Sequence, residues 1–157
     1  MSLKVLIVDD EHWCRDAIRL RVANNAKFDV VGEADNGEDA LLLMRSLSPD
    51  IVFLDIEMPV LSGLQVAKEV QSWFKGSIIF VTAFSHYAVS AFEVNAFNYL
   101  VKPIDDDKFK ALLDKIQELY RLGDSKGLNL IQLKHLAQID NLETVAIKNQ
   151  YLQRLSL

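Results

Sequence analysis

Long apolar runs are missing from this chain of 157 residues. Its runs are short, such as Val5-Leu6-Ile7-Val8 and Ile51-Val52-Phe53-Leu54, and none approaches the roughly 18 residues that a membrane span requires. No basic region followed by an apolar stretch opens the chain, so no secretory signal is read there. The one cysteine, Cys14, cannot close an internal disulfide and suits a reducing compartment. A basic excess is lacking too: the formal net charge is −5, which argues against nucleic-acid binding by this piece alone. No internal repeat or low-complexity segment interrupts it. These absences together predict a cytoplasmic protein with no membrane partner.

What is present is acidic charge, unevenly placed. Residues 1–122 hold 13 Lys/Arg against 19 Asp/Glu, a balance of −6, while residues 123–157 hold four against three, a balance of +1. A cation site is therefore sought in the first part.

Short, continuously apolar and β-branched runs (Val5–Val8, Ile51–Leu54, Ile78–Val81) read as strands covered on both faces. Weaker candidates are Val30–Ala34 and Asn98–Val101. Between them lie helical stripes: Cys14, Ala17, Ile18 and Val22; Ala40, Leu43, Met44 and Leu47, stopped by Ser48-Pro49; Val66, Val70, Trp73 and Phe74; Ala88, Ala91 and Phe92; Phe109, Leu112, Leu113, Ile116 and Tyr120. Five strands each followed by a helix predict one α/β domain over residues 1–122, a doubly wound five-stranded parallel sheet. Gly123-Asp124-Ser125-Lys126-Gly127 reads as a hinge. Beyond it, a partial helical stripe (Leu130, Leu133, Leu136, Ile139) and two extended segments over 145–157 are too little for a core of their own. That extension must pack on the domain, pair with another chain, or begin a second domain.

In an open parallel sheet, ligands bind beyond the carboxyl ends of the strands. The first predicted strand runs into Asp9-Asp10-Glu11, the third into Asp55-Ile56-Glu57-Met58-Pro59, the fourth into Thr82-Ala83 and the fifth into Lys102-Pro103. Each has an ordinary reading alone: acidic residues suit a helix N-terminus, and a lone Asp after a strand is commonly a turn residue. Together they make a different case. Carboxylates gathered at one edge repel unless a cation joins them, and Mg2+ accepts such oxygen ligands. A lysine and a hydroxyl beside it complete a site for a small anion, suited to phosphoryl transfer onto a carboxylate.

The segments Val-Leu-Ile-Val-Asp9-Asp10-Glu11, Ile-Val-Phe-Leu-Asp55-Ile-Glu-Met-Pro59, Leu-Ser-Gly63, Phe-Val-Thr82-Ala83 and Tyr99-Leu-Val-Lys102-Pro103 resemble the receiver domain of a bacterial two-component response regulator, over roughly residues 4–121. The resemblance implies the flavodoxin-like (βα)5 receiver fold. It implies Asp55 as phospho-acceptor; Mg2+ held by Asp10, Asp55 and the backbone carbonyl of Glu57, with Asp9 acting largely through water; and Lys102 pairing with the phosphoryl oxygens. Thr82 and Tyr99 would be switch residues, and the Lys102-Pro103 bond would be cis. The donor would be a sensor histidine kinase or a small molecule such as acetyl phosphate, and a homodimer through the fourth helix, fifth strand and fifth helix is plausible by the same analogy. Beyond Mg2+-dependent self-phosphorylation and slow autodephosphorylation, no enzyme activity is expected. Ser62 departs from the family, where Asp is common.

The stretch from Thr82 to Leu100, and Val145–Leu157 less specifically, is similar to the LytR/AlgR subgroup. Residues 123–157 would then be a linker and the truncated start of a LytTR-type DNA-binding domain, so DNA would be a partner only through a missing output domain. Three other functions compete. A pseudo-receiver would usually lack part of the Asp9, Asp10, Asp55, Thr82, Lys102 set. A mononucleotide binder would need a Gly/Ser-rich loop where this chain has Asp-Asp-Glu. A phosphatase with an aspartyl intermediate often carries Asp where Glu57 stands.

Overall fold

The structure, a computed structural model, describes residues 2–94 and 96–122. The chain divides into two units, residues 1–111 and 112–157, and every residue of the predicted site belongs to the first. The extension expected beyond residue 122, with His135, lies outside the described residues.

Five strands, β1 (Leu3–Val8), β2 (Phe28–Ala34), β3 (Ile51–Leu54), β4 (Ser77–Thr82) and β5 (Asn98–Val101), alternate with α1 (His12–Ala23), α2 (Gly37–Leu47), α3 (Gly63–Val70), α4 (Ala88–Glu93) and α5 (Asp106–Leu122). All pairings are parallel, in the order β2-β1-β3-β4-β5. This is the doubly wound (βα)5 sheet expected from the alternation. The order reverses between β1 and β3, which opens a crevice at their carboxyl ends.

Side chains alternate between the faces of a strand, and both faces here are buried. Leu6, Val8, Val52, Leu54, Ile78 and Phe80 join one apolar cluster with Ala40 and Met44 of α2, Val66, Ala67 and Val70 of α3, and Ala91 of α4. On the other face Val5, Ile7, Ile51, Phe53, Ile79 and Val81 are at most 1% exposed. There the Phe109 ring, near the start of α5, stacks on Phe53 with centroids 5.2 Å apart. Cys14, Ile18 and Val22 form the buried stripe of α1.

Two helix boundaries are informative. The apolar stripe of the third helix continues to Trp73 and Phe74, but α3 ends at Val70. The N–H groups of both aromatics donate to the Val70 carbonyl in a closing turn. Past that turn the chain is crowded at Gly76, where a Cβ would lie 2.4 Å from the Phe74 ring and 2.6 Å from the Pro49 carbonyl. Ser62, the departure noted above, caps α3. Its Oγ accepts from Gln65 N–H and its own N–H donates to Gln65 Oε1, a capping box that serves the helix as Asp would.

Candidate functional site

Each site residue is delivered by the end of a strand. Asp9 follows β1, and its N–H donates to the Ala34 carbonyl at 3.1 Å. Asp55 follows β3, its N–H donating to the Val8 carbonyl at 2.9 Å. These bonds extend the sheet ladders by one residue and fix both backbones. Thr82 ends β4, and its carbonyl accepts from Lys102 N–H at 2.7 Å, which ties the residue after β5 to the same edge. The Lys102-Pro103 bond is cis.

The structure brings the predicted acidic residues together. Asp9, Asp10 and Asp55 each offer a carboxylate oxygen within 4.8 Å of the others. Asp9 and Asp55 are buried, at 1% and 5% exposure, while Asp10 is exposed. Lys102 Nζ lies 2.8 Å from Asp9 Oδ2 and 3.9 Å from Asp55 Oδ2. The other Asp9 oxygen accepts from Glu11 N–H at 2.9 Å. Both oxygens of Asp9 are thus engaged inside the protein.

The electrostatics follow from one ammonium facing three carboxylates. Burial, then the Asp9 charge, pushes the Asp55 carboxyl up to about 7, against the pull of Lys102. Asp10 is raised as well, by burial and then by Asp9. Burial opposes the Lys102 charge, but the Asp9 hydrogen bond and the two carboxylates prevail, so its pKa rises. A carboxylate set this crowded, with hard oxygen donors only, fits a divalent cation such as Mg2+.

Thr82 is fully buried and its Oγ1 has no hydrogen-bond partner among the described residues. A buried hydroxyl of that kind costs about 1–3 kcal/mol, so at a strand end beside the carboxylates it is suited to receive an arriving acceptor. Tyr99 stands apart from the cluster. Its half-buried ring is 6.5 Å from Phe80, and its hydroxyl donates to the Phe84 carbonyl. The Glu57 side chain is exposed and accepts a hydrogen bond from Tyr87. Cys14, on the first helical stripe, is buried, and Trp13, off that stripe, is exposed.

Two residues were not singled out by the sequence, and a third has a role it did not show. Arg15 of α1 donates from Nη1 to the Asp9 carbonyl at 2.7 Å and lies 3.5 Å from Glu33 of β2, bracing the turn after β1. Tyr87 closes the 3₁₀ turn Ser85–Tyr87 ahead of α4. The third, Gly63, named above only within Leu-Ser-Gly63, acts through proximity: a Cβ there would lie 2.1 Å from the Asp55 carbonyl oxygen. None leaves a periodic signal, because each acts across a loop.

Comparison with known proteins agrees with this geometry. The family model of the response regulator receiver domain matches residues 5–114. The chain is 39% identical over 116 residues to the transcriptional regulatory protein BtsR of Escherichia coli, covering 74% of this chain and 48% of that protein. It is 34% identical over 126 residues to an uncharacterized response regulatory protein of Vibrio cholerae, covering 80% and 53%. The chain thus spans about half the length of these curated relatives. Among solved structures it is similar to the response regulatory domain of mrkE from Klebsiella pneumoniae, with TM-score 0.72 and 31% identity over 76% of this chain and 99% of that one. It also resembles the REC domain of AraT from Geobacillus stearothermophilus, with TM-score 0.73 and 32% identity over 78% and 98%. The chain belongs to the response regulator receiver domain family.

Proposed function

We propose that this receiver domain is the phospho-accepting switch of a two-component phosphorelay, with Asp55 as the acceptor. The observation that carries this reading is the meeting of Asp55 with Lys102, 3.9 Å away, inside a cluster of three carboxylates. An Asp55 oxygen attacks the phosphorus of a sensor histidine kinase phosphohistidine, or of acetyl phosphate. The new O–P bond forms as the donor's P–N or P–O bond breaks, and the electron pair leaves with the donor. Mg2+, when bound, supplies charge neutralisation at the transferring oxygens.

The chain's own residues divide the remaining tasks. Asp10, Asp55 and the Glu57 carbonyl would hold the cation, while Asp9, with both oxygens engaged, would act through water. Lys102 passes from the carboxylates to the phosphoryl oxygens, and the Thr82 hydroxyl finds there the partner it lacks. Tyr99 reports that movement, and its bond to Phe84 links it to the segment that follows Thr82. No further catalysis is assigned to the domain.

Beyond the domain, relatives of which this chain covers about half, and which carry the name transcriptional regulatory protein, support a transcriptional output. We extend this to a LytR/AlgR-type output with a LytTR-type domain on the resemblance of residues 82–100 alone. A cytoplasmic location agrees with the lack of any membrane-crossing helix among the described residues. A homodimer through the α4–β5–α5 face completes the reading.

The test is intact-mass spectrometry after incubation with acetyl phosphate. A phosphate adduct that requires Mg2+ and is absent in Asp55→Asn is expected. An adduct that survives Asp55→Asn, or none in the wild-type protein with either acetyl phosphate or a phosphorylated kinase, would overturn the reading.

A further inference from the structure

Cys14 opens the buried stripe of α1, ahead of Ile18 and Val22, and is 4% exposed. Its sulfur has charged neighbours. A carboxylate oxygen from each of Asp9 and Glu11 lies within 4.8 Å of it. The Lys102 ammonium, 2.8 Å from Asp9 Oδ2, is a hydrogen-bonding partner of the thiol. An ammonium has three N–H donors. Here Asp9 takes one and Cys14 another, while Asp55 Oδ2, at 3.9 Å, is beyond hydrogen-bond length. The lysine is thus held on the side of β1 and α1, close to Asp55 but not bonded to it.

We propose that Cys14 is a positioning residue for phosphoryl transfer: with Asp9 it holds the Lys102 ammonium off the Asp55 carboxylate, and so keeps an Asp55 oxygen free to attack. This rests on Asp55 being the acceptor. Without the thiol, the ammonium on its flexible stem closes on Asp55. The charge-assisted bond formed there must break before the oxygen can reach phosphorus. Sulfur suits this task better than oxygen of a carboxylate would. A thiol is a weak acceptor, so it fixes the lysine's place in the resting domain yet releases it to the stronger oxygens of an arriving phosphoryl group. An apolar residue at this position would serve the stripe of α1 equally well but would offer the lysine nothing.

The experiment incubates the wild-type chain, Cys14→Ala, Cys14→Val and Cys14→Ser with saturating Mg2+ and acetyl phosphate, and follows the initial rate of adduct formation by intact mass. Cys14→Ala and Cys14→Val remove the acceptor, the second while still filling the space. Both should form the adduct about 3- to 10-fold more slowly than the wild type, less than the loss that a misplacement of about 1 Å can cause. Cys14→Ser keeps an acceptor and should stay within about 2-fold of the wild-type rate, although a hydroxyl suits an apolar stripe less well. A purely structural role gives the opposite order, with Cys14→Val close to the wild type and Cys14→Ser the slowest. Cys14→Ala and Cys14→Val as fast as the wild type, or Cys14→Ser slower than both, would overturn the positioning role alone. No adduct in the wild type would overturn the phospho-acceptor reading and this one with it.

Discussion

Strand β4 begins and ends on the same anomaly, and the contrast between its two ends is instructive. Ser77 at its start and Thr82 at its end are both buried, and neither hydroxyl has a partner among the described residues. Around Ser77 the charges are settled. Asp50 Oδ2 accepts from Lys4 N–H at 2.7 Å, Lys4 Nζ donates to the Leu47 carbonyl at 2.9 Å, and the Asp50 carbonyl accepts from Ser77 N–H at 2.8 Å. Around Thr82 they are not: three carboxylates share one lysine. An unpaired hydroxyl alone does not mark a site. An unpaired hydroxyl beside unbalanced charge does, because an incoming phosphoryl group and cation would resolve both at once.

Substitutions at the two ends should separate them. The largest effect is expected from Gly63→Ala, which drives a methyl into the Asp55 carbonyl and should cost about 3 kcal/mol of stability in urea unfolding. Gly76, next to Ser77, is similarly crowded, so the contrast here is with the site and not with the other end, and a loss below about 0.5 kcal/mol would show the contact to be soft. Next in size is the effect of acidity. Asp55 holds its proton up to about 7 in the folded chain, against 3.8 as its ordinary value. Between those values the folded state binds more protons than the unfolded state, so stability without cation should fall as pH rises from about 4 to 7. The fall should be on the order of 1–3 kcal/mol, absent in Asp55→Asn and reversed by Mg2+. Parallel urea titrations in chelator at pH 5 and 7.5 would check it, and identical slopes in the two proteins would refute it.

Smaller effects sharpen the contrast. Thr82→Val removes a buried, unpaired hydroxyl and should raise the stability of the unphosphorylated protein by up to about 1 kcal/mol. The same change should slow adduct formation by about 10-fold or more. Ser77→Ala should also leave stability intact but should not alter adduct formation. Equal phosphorylation by the two variants would erase the distinction between the ends. Lys4→Ala, at the settled end, should change stability by less than about 0.5 kcal/mol and leave the Mg2+ dependence untouched.

What could be read in the sequence follows from where information is local. A strand buried on both faces must be continuously apolar, so β1, β3 and β4 announced themselves, and their last residues named Asp9, Asp55 and Thr82. Lys102 followed from the weaker β5 because the sheet brings every carboxyl end to one edge. The end of α3 was harder, because its apolar stripe continues through a turn to Phe74 while the backbone stops at Val70. Gly63 was legible as part of the Leu-Ser-Gly63 segment, but only the fold shows that Asp55 leaves no room for a Cβ. The Tyr87–Glu57 and Tyr99–Phe84 contacts were not legible at all. They span 30 and 15 positions, and side chains meeting over such distances impose no period on the chain.

The position of β1 carries a consequence for the protein's synthesis. It lies between β2 and β3 in the sheet, so it needs two partners that leave the ribosome after it. Pairing with β2 becomes available once residue 34 has emerged, but the other edge stays bare until Ile51–Leu54 arrive. A nascent chain stalled between those points would present Val5–Val8 as an open, wholly apolar edge, the form most prone to pairing with another chain. Pauses that hold the chain with residues 35–50 just emerged should therefore harm yield more than pauses after residue 54 has emerged, when β1 is flanked on both sides.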